Sequence, residues 1–327
     1  MEYILLLSFL VSYIVTLFTI PYWITRAKRA GLIGIDVHKH NKPKIAELGG
    51  VTVVIGFVFG VLLYIAIKTF YLGSDSIISP TLAAVSTVLI IALVGIIDDI
   101  LGWKIGLRQW QKPFLTLIAA LPMMVINVGQ STMNFPVVGE VNLGFLYPLL
   151  IVPIAIVGAS NGFNMIAGYN GLEAGLGVII LSALAFLSWQ QNAGFAAVIA
   201  LCMVFALLAF LLFNKFPARL FPGDTLTYSV GAVIACVAIL GNIEKAAVIL
   251  FIPYYIEFLL KLRGLMQKES FAKVNPDHSL KLRYSKIYGL EHLAIYLISK
   301  VKRKVYEQDV VYSLYIIELM LVGVVLI

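Results

Sequence analysis

Charge is what this chain has least of. Only 13% of its 327 residues are Asp, Glu, Lys or Arg, 61% are apolar, and the mean hydropathy is +0.97. Soluble domains carry roughly 25% charged residues, so an ordinary soluble fold is excluded and a polytopic membrane protein remains. Cysteine is nearly absent as well. Cys202 and Cys236 both lie inside apolar runs, which speaks against a disulfide framework or a cysteine metal site. Histidine is scarce and shows no zinc-type spacing. There is no low-complexity linker and no inverted repeat of the kind many transporters carry, so residues 1–327 read as a single integral domain. The opening Met1-Glu2-Tyr3 lacks the basic start of a secretory signal, and no small-residue cleavage site follows the first apolar run. A retained first span is expected.

What the chain has is apolar length. Ten segments approach the roughly 20 residues needed to cross about 30 Å of hydrocarbon; they fall near 3–23, 48–67, 80–97, 113–127, 145–160, 175–189, 194–213, 225–241, 245–262 and 310–327. The expected fold is all-α, with about ten transmembrane helices. Loops 24–47, 98–112, 161–174, 214–224 and 261–309 hold 22 of the 24 Lys and Arg residues, leaving Lys68 and Lys245 for the other side. The positive-inside rule makes the first set cytoplasmic and puts both termini outside. The +7 net charge thus sets topology and attracts anionic lipids or substrates, with no call for nucleic acid.

The loops assigned to the cytoplasm carry nearly all the unusual polar residues. Asp98-Asp99 end an uncharged run, 80–97, and are followed by Lys104, Arg108 and Lys112. A carboxylate in hydrocarbon costs roughly 2.5–3.5 kcal/mol, so this pair needs cations or a wet site. Neighbouring helical residues point about 100° apart, which lets one aspartate face a substrate while the other holds a partner; ordinary interfacial carboxylates are the plainer alternative. Loop one, 34–50, sets Asp36, Lys39 and Glu47 before a Gly-Gly pair, a pattern that a basic juxtamembrane linker also explains. Loop three, S-N-G-F-N-M-I-A-G-Y-N-G-L-E-A-G, places Asn161 and Asn164 on one helical face. Their amide oxygens are hard donors suited to Mg²⁺ beside phosphate, and Gly168 and Gly171 permit close backbone approach to a ligand. Asp224 stands where a span begins, as an N-cap or a metal ligand, and Phe221 before it suits the wall of a base pocket.

The last loop, 263–309, gathers His278, Lys281 and Arg283. Beyond them Ile287, Leu290, Leu293, Leu297 and Val301 recur at helical spacing opposite Lys300, Lys302, Arg303 and Lys304, as in an amphipathic helix lying on an anionic leaflet. On the other side, Val137 to Val141 suit a small hairpin, with no chemistry assigned.

In order, the acidic pair with its basic followers, N-x-x-N-x-x-A-G-x-N-G-L-E-A-G, F-P-G-D-T and P-x-H resemble the polyprenyl-phosphate N-acetylhexosamine-1-phosphate transferases. Within that family the likeness is nearest to the UDP-GlcNAc:dolichyl-phosphate GlcNAc-1-phosphotransferases of eukaryotes and archaea. Relatives acting on undecaprenyl phosphate resemble D-G-x-D-G in loop three, where this chain has Ala167-Gly168-Tyr169-Asn170-Gly171. The resemblance implies transfer of GlcNAc-1-phosphate from UDP-GlcNAc to a dolichyl-type phosphate, with Mg²⁺ or Mn²⁺ as cofactor. It implies that Asp98 and Asp99 lie by the lipid phosphate and metal, that Asn164 and Asp224 hold the ion, and that Phe221 and Asn170 recognise the uracil. Lys112 falls on a phosphate-contacting lysine and His278 on the histidine of the last loop, so these join the aspartates as catalytic candidates. Gly168, Asn161, Glu47, Lys39 and Arg283 complete the substrate-binding set. Where the dolichol enzymes have a P-R-H-R-like run this chain has Pro276-Asp277-His278-Ser279, and Arg283 or Lys281 is then the substitute for the missing arginines.

The residues suit that chemistry in their own right. An anionic lipid phosphate attacking an anionic pyrophosphate needs cations to screen the repulsion. A secondary transporter, the main competing class, would cluster its polar groups near mid-membrane in broken helices. A CDP-alcohol phosphotransferase would need spaced aspartates that are not evident here. The sequence leaves the oligomeric state open, a homodimer included.

Overall fold

The computed structural model describes residues 2–102, 106–108, 110–135 and 139–327. Lys104, in the basic run after the aspartates, and Val137 and Val138, expected in a hairpin, lie outside the described residues.

The described chain is mostly helical. Helix α1 (Leu6–Arg29) leads through the ribbon β1 (Ile33–Ile35) and β2 (Lys44–Ala46) into α2 (Gly50–Ala66), which a wider π turn carries on to Tyr71. Then come α3 (Ile78–Leu101), the short α4 (Gln111–Ile118) and α5 (Leu121–Val125), and the ribbon β3 (Thr132–Phe135) and β4 (Gly139–Asn142). A π turn, Tyr147–Ile151, opens α6 (Val152–Phe163), followed by α7 (Leu172–Gln190), α8 (Gly194–Asn214) and α9 (Gly223–Gly241). The chain closes with α10 (Glu244–Leu250), α11 (Ile252–Arg263), the ribbon β5 (Lys273–Val274) and β6 (Leu280–Lys281), α12 (Leu290–Val301) and α13 (Glu307–Leu326). All three ribbons are antiparallel pairs; the second sets Thr132 opposite Asn142 and the third Lys273 opposite Lys281.

Among the described residues seven helices are long and apolar enough to cross a membrane: α1, α2 with its π turn, α3, α7, α8, α9 and α13. The remaining three apolar segments are helices interrupted at proline. Pro122 has no N–H for the Ile118 carbonyl and its ring crowds that group, so α4 stops at Ile118 and α5 starts at Leu121. Pro253 does the same to Ile249, separating α10 from α11. Pro148 lies in the π turn that opens α6 and Pro153 just beyond it, and the apolar helix from Tyr147 to Phe163 is only 17 residues long.

Helix α9 is the centre of the bundle. Its apolar window is 83% buried, against 28% for α1 and 22% for α13, which therefore lie outermost. Gly231, Ala232, Ala235 and Ala238 keep α9 slender enough for α2, α3, α6, α7 and α8 all to pack on it. The approach of α3 positions the site. A Cβ on Gly95 of α3 would stand 2.6 Å from the Cα of Thr225, so only glycine admits the start of α9 there. One turn further along the same face of α3 is Asp99.

Main-chain bonds stitch loop one to the turn before α9. Phe221 N–H donates to the Ala46 carbonyl at 2.8 Å, Gly49 N–H to that of Phe221 at 2.9 Å and Gly50 N–H to that of Pro222 at 2.8 Å. In the last loop α12 packs on α11 and α13. Its apolar stripe runs into the protein at Leu290, Ala294 and Ile295 and off it at Leu297 and Val301, which are exposed.

Candidate active site

The adjacent aspartates at the end of α3 part company. Asp98 Oδ2 lies 2.7 Å from the Lys112 ammonium, while its Oδ1 accepts the Leu107 N–H at 2.6 Å. Asp99 turns to α9 and accepts the N–H groups of Asp224 at 2.7 Å and Thr225 at 3.0 Å, and the Thr225 hydroxyl at 2.6 Å. A carboxylate from another helix thus caps α9, satisfying donors that a helix start leaves unpaired. Gly223, at φ +72°, lets the chain enter beneath it; a Cβ there would meet Asp99 Oδ2 at 2.5 Å.

Because Asp99 supplies the cap, Asp224 does not. Its side chain makes no capping bond and instead reaches the Lys112 ammonium, Oδ2 to Nζ 2.8 Å. Of the two roles open to Asp224 on sequence, the N-cap is not the one its side chain takes. Lys112 therefore sits between Asp98 and Asp224, with the Tyr228 ring centroid 5.7 Å away.

The asparagines of loop three complete this cluster. Asn164, just past α6, accepts the Thr227 hydroxyl on Oδ1 at 2.8 Å, one turn along α9 from Asp224. Asn161 donates from Nδ2 to the Thr116 hydroxyl at 2.9 Å, and that hydroxyl donates to the Lys112 carbonyl at 3.0 Å. Two segments thus meet at one ammonium group, and the loop-three asparagines join the cluster through the hydroxyls of Thr116 and Thr227.

A second polar cluster joins loop one, loop three and α13. Asn170 donates from its main chain to Glu307 at 2.7 Å and from Nδ2 to Asp36 at 3.1 Å. The buried Lys39 ammonium pairs with Glu307 and, at 3.2 Å, with Asp36. His38 stacks on Tyr169 at 4.1 Å between centroids, and its Nε2 accepts the Ala272 N–H at 3.2 Å. Burial holds this imidazole down at about 4, although Asp36 pulls the other way. Asp36, His38 and Glu307 offer ligand atoms within 4.8 Å of one another, but Lys39 already supplies the cation there.

The other candidates are spread around these clusters. Gly168, at φ +101°, donates its N–H to Glu173 at 2.7 Å and faces the Phe271 ring, which a Cβ would meet at 2.6 Å. Glu47 lies over Gly34, half-buried, and burial pushes its carboxyl up. Phe221 is held by Ala46 and Gly49 through its main chain. His278, exposed and at φ +62°, accepts the His40 N–H on Nδ1 at 3.3 Å, and Arg283 pairs with Glu269 on the surface. Among the described residues neither bonds to the Lys112 cluster. Sequence reasoning passed over Glu307, which reads as the polar edge of the last apolar run, and the hydroxyls of Thr116, Thr225 and Thr227, which carry no charge signal.

Apolar helices whose ends bring carboxylates, an ammonium group and amides together define a membrane protein with a polar centre at its helix ends. Comparison with known proteins narrows this class. The family model described as glycosyl transferase family 4 matches residues 81–242, the stretch from α3 to α9 that contains the whole Lys112 cluster. A Saccharolobus solfataricus protein, provisionally named a UDP-N-acetylglucosamine–dolichyl-phosphate N-acetylglucosaminephosphotransferase, is 39% identical over 295 residues, 89% of this chain and 86% of that protein. The Dictyostelium discoideum protein of that name is 29% identical over 79% of this chain and 72% of its own length. A Streptococcus mutans phospho-N-acetylmuramoyl-pentapeptide-transferase is 32% identical over 76% of each chain. The chain belongs to glycosyl transferase family 4.

Proposed function

We propose that the protein transfers N-acetylglucosamine-1-phosphate from UDP-GlcNAc to a dolichyl-type polyprenyl phosphate, giving polyprenyl-diphosphate-GlcNAc and UMP. An oxygen of the lipid phosphate attacks the sugar-bearing phosphorus, and the bond from that phosphorus to the oxygen bridging to the uridylyl phosphate breaks, so UMP leaves with the electron pair. The observation that carries this reading is the Lys112 ammonium held between Asp98 and Asp224. The relatives named for the same reaction support the choice of substrates.

Each residue has a task that follows from its contacts. Lys112 screens the approach of two anions, since phosphoryl transfer rests on positioning and charge stabilisation. Asp98 orients Lys112 and takes any proton left on the lipid phosphate. Asp99 fixes the first turn of α9 and through it the aim of Asp224. The oxygen donors of Asn164 and Asp224 fit a Mg²⁺ ion, with Mn²⁺ as substitute. Bound there, the ion would neutralise pyrophosphate charge. Asn170, Gly168 and Phe221 are assigned to the nucleotide end, Asn161, Glu47, Lys39 and Arg283 to further substrate contacts, and His278 to a catalytic part from the last loop.

In this reading ten segments cross or enter the bilayer, the active-site loops are cytoplasmic and both termini lie outside. The exposed Leu297 and Val301 of α12 rest at the lipid boundary. The polar cluster stands at the ends of α3, α6 and α9, away from mid-helix, which favours an enzyme over a transporter. Release of UMP from UDP-GlcNAc, assayed with and without polyprenyl phosphate and Mg²⁺, tests the proposal; release that needs both is the expected result. Competition by other UDP-sugars tests the sugar.

A further inference from the structure

A groove of about 430 Å³ opens between the end of α1 and the segment after α8, away from the Lys112 cluster's own residues. Pro21, Ile24, Ile45 and Phe213 give it apolar walls, and Lys28 and Arg219 stand at its rim. Pro21, Ile24 and Lys28 lie at i, i+3 and i+7 on one face of α1, so the apolar wall begins about 10 Å below the lysine along the helix axis. Nearby on α1, Phe18 is 66% exposed and Tyr22 77%, as befits a surface that meets hydrocarbon.

The two cations are held ready without being neutralised. The Arg219 guanidinium lies 4.6 Å from the Phe213 ring centroid, and its Nη2 donates to the Leu212 carbonyl at 3.2 Å. Most of its five donors remain unspent. Neither Arg219 nor Lys28 has an ion-pair partner among the described residues. An apolar slot descending from an unneutralised pair of cations at the end of a membrane helix complements one kind of molecule, an acyl chain beneath a phosphate.

We propose that this groove binds one anionic glycerophospholipid, its phosphate on Lys28 and Arg219 and an acyl chain along Pro21, Ile24 and Phe213. The occupant also backs β2, because Ile45 adjoins Ala46, whose carbonyl accepts the Phe221 N–H. The site is separate from the proposed reaction and its test needs no activity.

Full-length protein reconstituted in phosphatidylcholine vesicles doped with phosphatidylglycerol, then stripped by detergent, would be weighed by native mass spectrometry. Wild type retains one anionic lipid. The K28A/R219A variant loses it, its affinity on the order of thirtyfold weaker for two cations removed. K300A/R303A, which removes the same charge from α12, behaves as wild type. I24W fills the apolar wall without touching charge and also loses the lipid, which guards against a folding defect in the double variant. Equal retention in wild type and K28A/R219A overturns the proposal, as does equal loss in the α12 control, which would mean bulk surface attraction. Displacement of the lipid by inorganic phosphate overturns it, as does a change of oligomeric mass in place of lipid loss, the mark of a second copy in the groove.

Discussion

Asp98 and Asp99 share a peptide bond and little else. Asp98 faces an ammonium group and Asp99 a helix start, so their loss should read out differently. Asp98→Asn should reduce UMP release on the order of a hundredfold and leave the thermal midpoint nearly unchanged. Asp99→Ala uncaps α9 and should cost about 1–2 kcal/mol of stability, lowering the midpoint as well as the rate. Equal midpoints in the two variants would refute this division. His38 gives a prediction in pH. Its Nε2 accepts the Ala272 N–H and burial keeps the ring neutral down to about 4, whereas an unfolded histidine takes up its proton near 6.5. Within that window the unfolded chain binds a proton that the folded chain refuses. The contribution is therefore complete above the window and is lost as pH falls through it. Thermal midpoints measured from about pH 7 to about pH 5 should drop more steeply in wild type than in His38→Gln; parallel curves would assign the acid lability to other groups.

Helix α13 packs on α7, α10 and α12, and its first residue adds a polar tie to the loops. Glu307 accepts the Asn170 N–H and pairs with Lys39, so one side chain ties the last helix to loops one and three. Glu307→Ala leaves Lys39 buried with only Asp36 beside it. Breaking a buried pair in this way costs about 3–5 kcal/mol, and hydrogen exchange should quicken in residues 34–47 and 167–173 while α8 stays protected. Protection unchanged in both loops would show that other contacts hold them. This is also the level at which the sequence was least legible. The apolar runs were plain, but averaging hydropathy over a window hides Pro122, Pro153 and Pro253, and three runs that read as continuous spans are interrupted helices. The site was partly legible. Carboxylates and asparagines beside apolar runs are costly enough to be noticed, and the structure brings Asp98, Lys112, Asn161, Asn164 and Asp224 together. Which aspartate caps and which pairs was not, because that depends on the close approach of α3 and α9 at Gly95.

Across the whole molecule, the basic loops and the polar cluster mark one end of the bundle. The proposed orientation can be read by labelling single cysteines, since Cys202 and Cys236 are buried and contribute little background. Lys42→Cys and Lys268→Cys should react from one side of sealed vesicles and Asp75→Cys from the other; Lys42 and Lys268 on opposite sides would break the topology. The family's shared stretch, 81–242, contains the segments that make up the Lys112 cluster. Loop one and the last loop flank that stretch in sequence, and Glu307 holds them against it.

The most direct test is a double-mutant cycle on UMP release in Lys112→Ala, Asp224→Ala and the pair. Groups that work as one unit do not lose activity additively. The double variant should be no slower than the slower single variant. A double loss equal to the product of the single losses would mean that Lys112 and Asp224 act independently, and that the shared ammonium–carboxylate centre is not where the chemistry takes place.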